Sequence, residues 1–201
     1  MQKPSSPSQP ARRSQGERTD ATRAALIAAA RELFEKHGFA ATGTPEIVAA
    51  AQVTRGALYH HFADKTALFH AVCQQAAQEV ADDIERQTQR SRKPLNALLH
   101  GANAYFVAMA AAGRARLLLL EAPAVLSAEQ LLALSDTAGW GALKAGLGEA
   151  LADEGHESLP LHELSVVLSA AFDRAALAIA RGEPAGPYQQ AIRLLLSRLI
   201  A

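Results

Sequence analysis

The sequence predicts an all-α protein, with a three-helix helix-turn-helix head joined to a larger helical body, about nine helices in total. Three observations lead there. Hydrophobic residues make up 49% of the chain and aromatics only 5%, much of the apolar content is Ala and Leu, and runs of Val, Ile and Thr are scarce; that mix favours helix. Gly and Pro cluster between apolar periodic segments, where they mark joints between helices. The stretch TGTPEIVAAAQVTRGALYHHFADKTALF, Thr42 to Phe69, parses as two short helices on either side of a tight turn at Gln52 and Val53. Helices joined that tightly cross steeply, as a helix-turn-helix does.

Residues 1–17, rich in Pro, Ser, Gln and Arg, read as a disordered basic arm. It is either a solvated tail or an arm beside a polyanion, and low-complexity termini favour the tail. The head follows over 18–65 and the body over 66–201. Net charge is zero, yet residues 1–65, arm and head together, hold 9 Lys or Arg against 6 acids, leaving that part +3 and the body −3. The excess fits a polyanionic partner for the head, although it is too small to establish one. One cysteine, Cys73, excludes an intrachain disulfide and any CxxC motif. No signal peptide and no apolar run of roughly 20 residues is visible, so a reduced cytoplasm is the expected compartment and no membrane is expected as partner.

The first helix is predicted from Thr19 to His37, with Leu26, Ala30 and Leu33 on one face, Thr19 or Asp20 as cap and Gly38 as stop. Phe34 and Phe39 pack under the next two helices. The second helix, Pro45 to Ala51, begins with Thr44 as N-cap and Pro45 in the first helical position. Its free amides, with the hydroxyls of Thr42 and Thr44, suit a phosphate. The third helix, capped by Thr54, carries the reading side chains. Arg55 suits guanine O6 and N7, a contact worth roughly 1–3 kcal/mol of discrimination. Gly56 allows close approach to the groove floor, and Ala57 faces either a thymine methyl or the interior. Tyr59 and His60 suit phosphate, whereas His61 either does the same or bonds within the head. Adjacent histidines project apart on a helix, so no metal site is expected there.

TRGALYHHFADKTALF and the preceding GFAATGTPEIVAAAQV resemble the recognition helix and its approach in TetR-type transcriptional regulators. The resemblance is clear from Arg18 to Phe69. Gly43, Val48 and Gln52 depart from its usual Thr or Ser, Ala and Gly; the resemblance implies positive φ at Gln52, which a non-glycine residue adopts at some cost. It implies a sequence-specific DNA-binding regulator, with double-stranded operator DNA as partner, a homodimer, and an unidentified small-molecule effector that releases a repressor from a near-palindromic operator. It also implies that Tyr59 and Lys65 meet the DNA backbone; an exposed lysine without such a contact is the alternative for Lys65.

In the body, Asp64 caps a fourth helix running to Gln89 that links head to body. A fifth covers Leu95 to Ala112, and a sixth runs from Arg114 to a stop at Pro123. RARLLLLEAPAVLS looks like a segment found in a subset of that family. A seventh helix covers Ala128 to Asp153, with Gly139, Gly141, Gly146 and Gly148 permitting a kink or close approach. Tyr105, Met109, Glu121, Trp140 and Phe172 are candidate ligand contacts. Glu121, if buried, needs Arg114, Arg116, Lys144 or a basic ligand; a helix-end carboxylate in water is the simpler reading. The last two helices, Leu161 to Arg181 and Pro187 to Ile200, carry apolar stripes. Leu164, Leu168, Phe172, Ala175, Ile192, Leu195 and Leu199 there suit pairing with a second copy into a four-helix interface, with burial inside one protomer as the alternative.

No cofactor and no metal is called for. The sequence lacks a Gly-rich phosphate loop, a GxSxG elbow and paired Glu-x-x-His sets, so an enzyme is not expected. The alternative class is an all-helical ligand-binding or adaptor module that does not regulate transcription.

Overall fold

The computed structural model describes residues 15–88 and 93–200, and its described residues form helices without strands. Nine helices result when 114–125 and 128–153 are each counted as one. They are α1 (Gln15–His37), α2 (Thr44–Ala50), α3 (Arg55–His61), α4 (Lys65–Thr88), α5 (Pro94–Met109), α6 (114–125), α7 (128–153), α8 (Leu161–Ala180) and α9 (Ala185–Ile200). Among the described residues no helix is long and apolar enough to cross a membrane.

The predicted order of helices is correct, and three local details are not. α1 starts at Gln15, ahead of the expected cap. Nothing in GERTD breaks a helix, Glu17 favours its first turn, and the Thr19 hydroxyl turns back to donate to the Gln15 carbonyl. The rest of the predicted arm, including Lys3, Arg12 and Arg13, lies outside the described residues, as does the expected end of α4 at Gln89. At the start of α2 the N-cap is Gly43 rather than Thr44, and Glu46 Oε2 accepts the Gly43 N–H at 3.0 Å. Pro123 does not stop α6. A π turn over Leu117–Glu121 precedes it, with the Ala122 N–H bonded to Leu117 O. The wider turn accommodates a ring that would otherwise press on the carbonyl one turn back. The break in α7 falls at Gly139, one of the glycines expected to permit a kink or close approach; its φ is +121° and a Cβ there would lie 2.9 Å from Ile84 Cδ1 of α4.

Two apolar cores lie along α4. In the first, Leu26, Ile27, Phe34, Ile47, Leu58 and Phe62 of the head close on Leu68, Phe69, Val72 and Ala76 of α4. Phe34, Phe39 and Phe69 form an edge-packed trio with centroids 5.0–5.8 Å apart. Leu117, Ala122, Leu126 and Leu134 of the body join the same core, so the expected division at residues 65 and 66 falls across continuous packing. The second core gathers Val80 and Ile84 of α4 with α5, α7, α8 and α9. Cys73 is buried, and burial pushes its thiol up to about 12, which leaves it unreactive.

The stripe expected to pair two copies is mostly used within the chain. Leu168, Phe172, Ala175 and Ile192 are buried in the body core, and Leu164 and Leu199 pack against it. Leu195 is exposed, and it is joined by Leu194 of α9 and by Val166 and Val167 of α8. Periodicity finds the most apolar face of a helix, and the protomer's own core claims that face first.

The turn between α2 and α3 has the conformation expected of it. Gln52 takes φ +56°, the Gln52 N–H bonds Ala49 O, and the Val53 N–H bonds Val48 O. This is a helix end closed by a left-handed residue. Replacing Gln52 with glycine removes the Cβ clash of that region, so Gln52→Gly is expected to raise unfolding stability by about 1 kcal/mol in urea titration.

Candidate nucleic-acid interface and body cavity

α3 is held by one face and presented by the other. Leu58 is buried, Thr54 Oγ1 accepts the Ala57 N–H at 3.1 Å, and the Phe62 N–H closes the helix on Leu58 O. Thr54, Arg55, Gly56, Tyr59 and His60 are exposed, and His61 is half-buried beside Phe62. The Arg55 guanidinium lies over the Tyr59 ring, 5.5 Å from its centroid. Hydrogen bonding to Thr44, then to Arg55, holds the Tyr59 phenol below its ordinary range. Thr44, Arg55 and Tyr59 are therefore one surface unit spanning α2 and α3. Gly56 has no internal reason to be glycine, because a Cβ there would meet only Thr54 Oγ1 at 3.8 Å.

Two of the predicted phosphate ligands have internal roles. Thr42 is 1% exposed, and its hydroxyl donates to Gly38 O at 2.8 Å, so the expectation of a phosphate contact is corrected. Lys65 Nζ donates to Phe39 O at 2.9 Å and to Thr42 O at 3.0 Å, and it sits 4.1 Å from the Phe39 ring centroid. Its first job is to tie the α1–α2 turn to the start of α4, where Asp64 Oδ1 accepts the Ala67 N–H. A helix with few unpaired carbonyls near it gives sequence no sign of this; the carbonyls come from a turn more than twenty residues away.

The body encloses a cavity of about 490 Å³, within the range of small-molecule sites. Of the candidate ligand contacts, Tyr105, Met109, Trp140 and Phe172 line it, together with Leu98, Leu118, Leu119, Leu143, Glu149 and Asp173. Glu121 is the exception. Its Oε1 accepts from Arg116 Nη2 at 3.0 Å, and its Oε2 accepts the Phe39 backbone N–H at 3.1 Å. It faces the head because the π turn that aims Leu118 and Leu119 at the cavity leaves Glu121 beside the Gly38 turn, where a Cβ on Gly38 would lie 2.7 Å from Glu121 Oε1.

Asp173 escaped the sequence reading. It sits mid-helix in an apolar run next to Arg174, and the pair reads as a solvated face. In the structure its carboxylate accepts the Tyr105 hydroxyl at 2.5 Å. Burial raises its pKa, partly offset by that hydrogen bond, and the Tyr105 phenol is likewise raised by burial and by the adjacent carboxylate.

An exposed second helix of a helix-turn-helix, set on a helical body with a cavity, is the build of a helix-turn-helix regulatory protein. Residues 26–72 match the family described as bacterial regulatory proteins, tetR family, and residues 95–201 match the tetracyclin repressor-like C-terminal domain. The chain belongs to the TetR family. It is similar to the HTH-type transcriptional regulator UidR of Escherichia coli K12, 35% identical over 77 residues, 38% of this chain and 36% of that protein. The match thus spans little more than a third of that relative. A TetR-family transcriptional regulator from Pectobacterium atrosepticum has a similar structure, with a TM-score of 0.68, 25% identity, and coverage of 93% of this chain and 95% of that one. FadR of Bacillus subtilis in complex with stearoyl-CoA shares the fold at a TM-score of 0.74 and 15% identity, covering 86% and 96%.

The two hydrogen bonds from Lys65 predict a structural phenotype. Lys65→Ala is expected to lower unfolding stability by about 1.5–3 kcal/mol, as for hydrogen bonds made by a charged donor. Thermal melts of the two proteins check it: an unchanged melting temperature would return Lys65 to a purely surface role.

Proposed function

We propose that the protein is a sequence-specific DNA-binding transcriptional regulator, a repressor that leaves a near-palindromic operator when a small molecule fills the body cavity. The observation that carries the link between cavity and head is the π turn of α6. Leu118 and Leu119 on this turn line the cavity, and Glu121 at its end accepts an N–H from the head. A molecule that displaces those leucines moves the group that holds Phe39, and Phe39 O is in turn held by Lys65 at the start of α4. To release DNA the molecule must bind the released arrangement better than the DNA-bound one; a coupling of about 1–3 kcal/mol is ordinary.

In this reading Arg55 reads bases, Gly56 admits the helix to the groove floor, and Thr44, Thr54, Tyr59, His60 and His61 hold the backbone. Lys65 keeps one N–H for a phosphate besides its two internal bonds. Two heads about 34–36 Å apart read the two halves of an operator. The exposed side chains of Val166, Val167, Leu194 and Leu195, on the adjacent helices α8 and α9, support pairing of two copies there. That supports the homodimer with a face shifted from the stripe first expected.

Gel-shift titration against the promoter beside the protein's own gene tests the reading; a folded protein with no salt-dependent, sequence-selective binding would sink it. Gly56→Ala separates stability from binding. It is expected to stabilise the chain by about 0.5–1 kcal/mol, because the site is helical and open, yet to weaken operator binding. Arg55→Ala should relax base preference at one position, by about 1–3 kcal/mol. Pairing is checked by sedimentation: Val167→Asp combined with Leu195→Asp should give a folded monomer with much weaker operator binding.

A further inference from the structure

The cavity wall is charged in one sense only. Its lining is apolar over most of its extent, and the ionisable side chains other than Tyr105 that reach it are Asp173 and Glu149. Among the described residues no Lys, Arg or His lines it. Asp173 is half-buried in the middle of α8 and accepts one hydrogen bond, from Tyr105 to Oδ1. No cation pairs with it among the described residues: the nearby basic groups Lys144 and His162 lie against Trp140, and neither lines the cavity. Glu149, in contrast, is exposed and stands where α7 opens to solvent.

A carboxylate removed from water is costly unless it is paired. Here it has a single hydrogen bond from Tyr105, leaving lone pairs on both oxygens for further donors. The aromatic groups around the cavity, Tyr105, Trp140 and Phe172, present electron-rich faces that also favour positive charge. An anionic ligand would find no cation among the described residues of the wall to meet it and one half-buried carboxylate to repel it.

We propose that the cavity selects a largely apolar molecule carrying one positively charged amine, with Asp173 meeting the charge; the proposal rests on the reading of the cavity as the effector site. Tyr105 is a positioning residue that fixes the Asp173 carboxylate. The apolar remainder of the ligand lies among Leu98, Met109, Leu119, Leu143 and Phe172.

The test uses the full chain and three probes of one length: decylammonium, decanol and decanoate, each below its micellar concentration at near-neutral pH. Trp140 is the sole tryptophan and lines the cavity, so its fluorescence reports occupancy. Decylammonium is expected to bind about tenfold tighter than decanol, a difference one charge contact readily supplies, and decanoate weakest. Asp173→Asn should remove the gap between amine and alcohol while decanol affinity stays within about twofold, and Glu149→Gln should keep the gap. Decanoate binding as well as decylammonium, a preference that survives Asp173→Asn, or a preference lost in Glu149→Gln would overturn the assignment. The charge series on the unmodified chain decides the question even where Asp173→Asn fails to fold. Binding in the expected order without any change in operator affinity upholds the charge rule and sinks the effector reading. Decanoate binding best and releasing the operator does the reverse, and no binding by any probe overturns both.

Discussion

Glu79 of α4 stands between two guanidinium groups from opposite parts of the molecule. Arg31 of α1 reaches it from the head at 2.5 Å, and Arg114 at the start of α6 reaches it from the body at 2.8 Å. The Arg31 contact, more than the Arg114 one, holds the Glu79 carboxyl below its ordinary range despite the opposing effect of burial. A depressed carboxylate stabilises the fold at neutral pH, and that stabilisation is lost as pH falls through its folded pKa. Arg114 is itself buried, bonded to Asp83 and to Ala108 O as well. The two carboxylates and the carbonyl share this guanidinium, so loss of one leaves Arg114 paired with the others. The corner is fixed sterically too: Gly113 has φ +76°, and a Cβ there would lie 2.5 Å from Glu35 Cγ of α1.

This anchor makes α4 and the start of α6 a common frame for head and body. Along that frame α4 buries Leu68 to Ala77 in the head core and Val80 and Ile84 in the body core. Ile84 also lines the cavity and meets the break at Gly139. A change in cavity shape therefore has two routes to the head, through Ile84 along α4 and through the π turn to Glu121. Both run through close packing and charged hydrogen bonds, which switch between discrete arrangements rather than deform smoothly.

Much of the molecule was legible because its signals are local. Thr54 capping α3, Asp64 capping α4 and the left-handed Gln52 are each decided within a few residues of chain. Leu26 and Ala30 declared themselves by helical spacing, and Phe34 and Phe39 by their places beside the next two helices. Errors arose where one residue type suits two outcomes. Thr42 looks like a phosphate ligand until the α1–α2 turn offers its hydroxyl a carbonyl, and the same turn gives Lys65 an internal role that its exposed setting in the sequence does not announce. Glu121 looks like a pocket carboxylate until the π turn carries it past the cavity, and Leu168, Ala175 and Ile192 look like an interface until the protomer covers them.

The sequence by itself determined the helices, the helix-turn-helix and the family, because caps, turn residues and apolar period act over a few residues of contiguous chain. Only the tertiary structure decided which apolar face stays open, which carboxylate faces the cavity and which faces the head. Those outcomes depend on residues distant in sequence that meet once the chain has folded. A buried charge such as Asp173 is identified by what surrounds it in space, and periodicity carries no record of that.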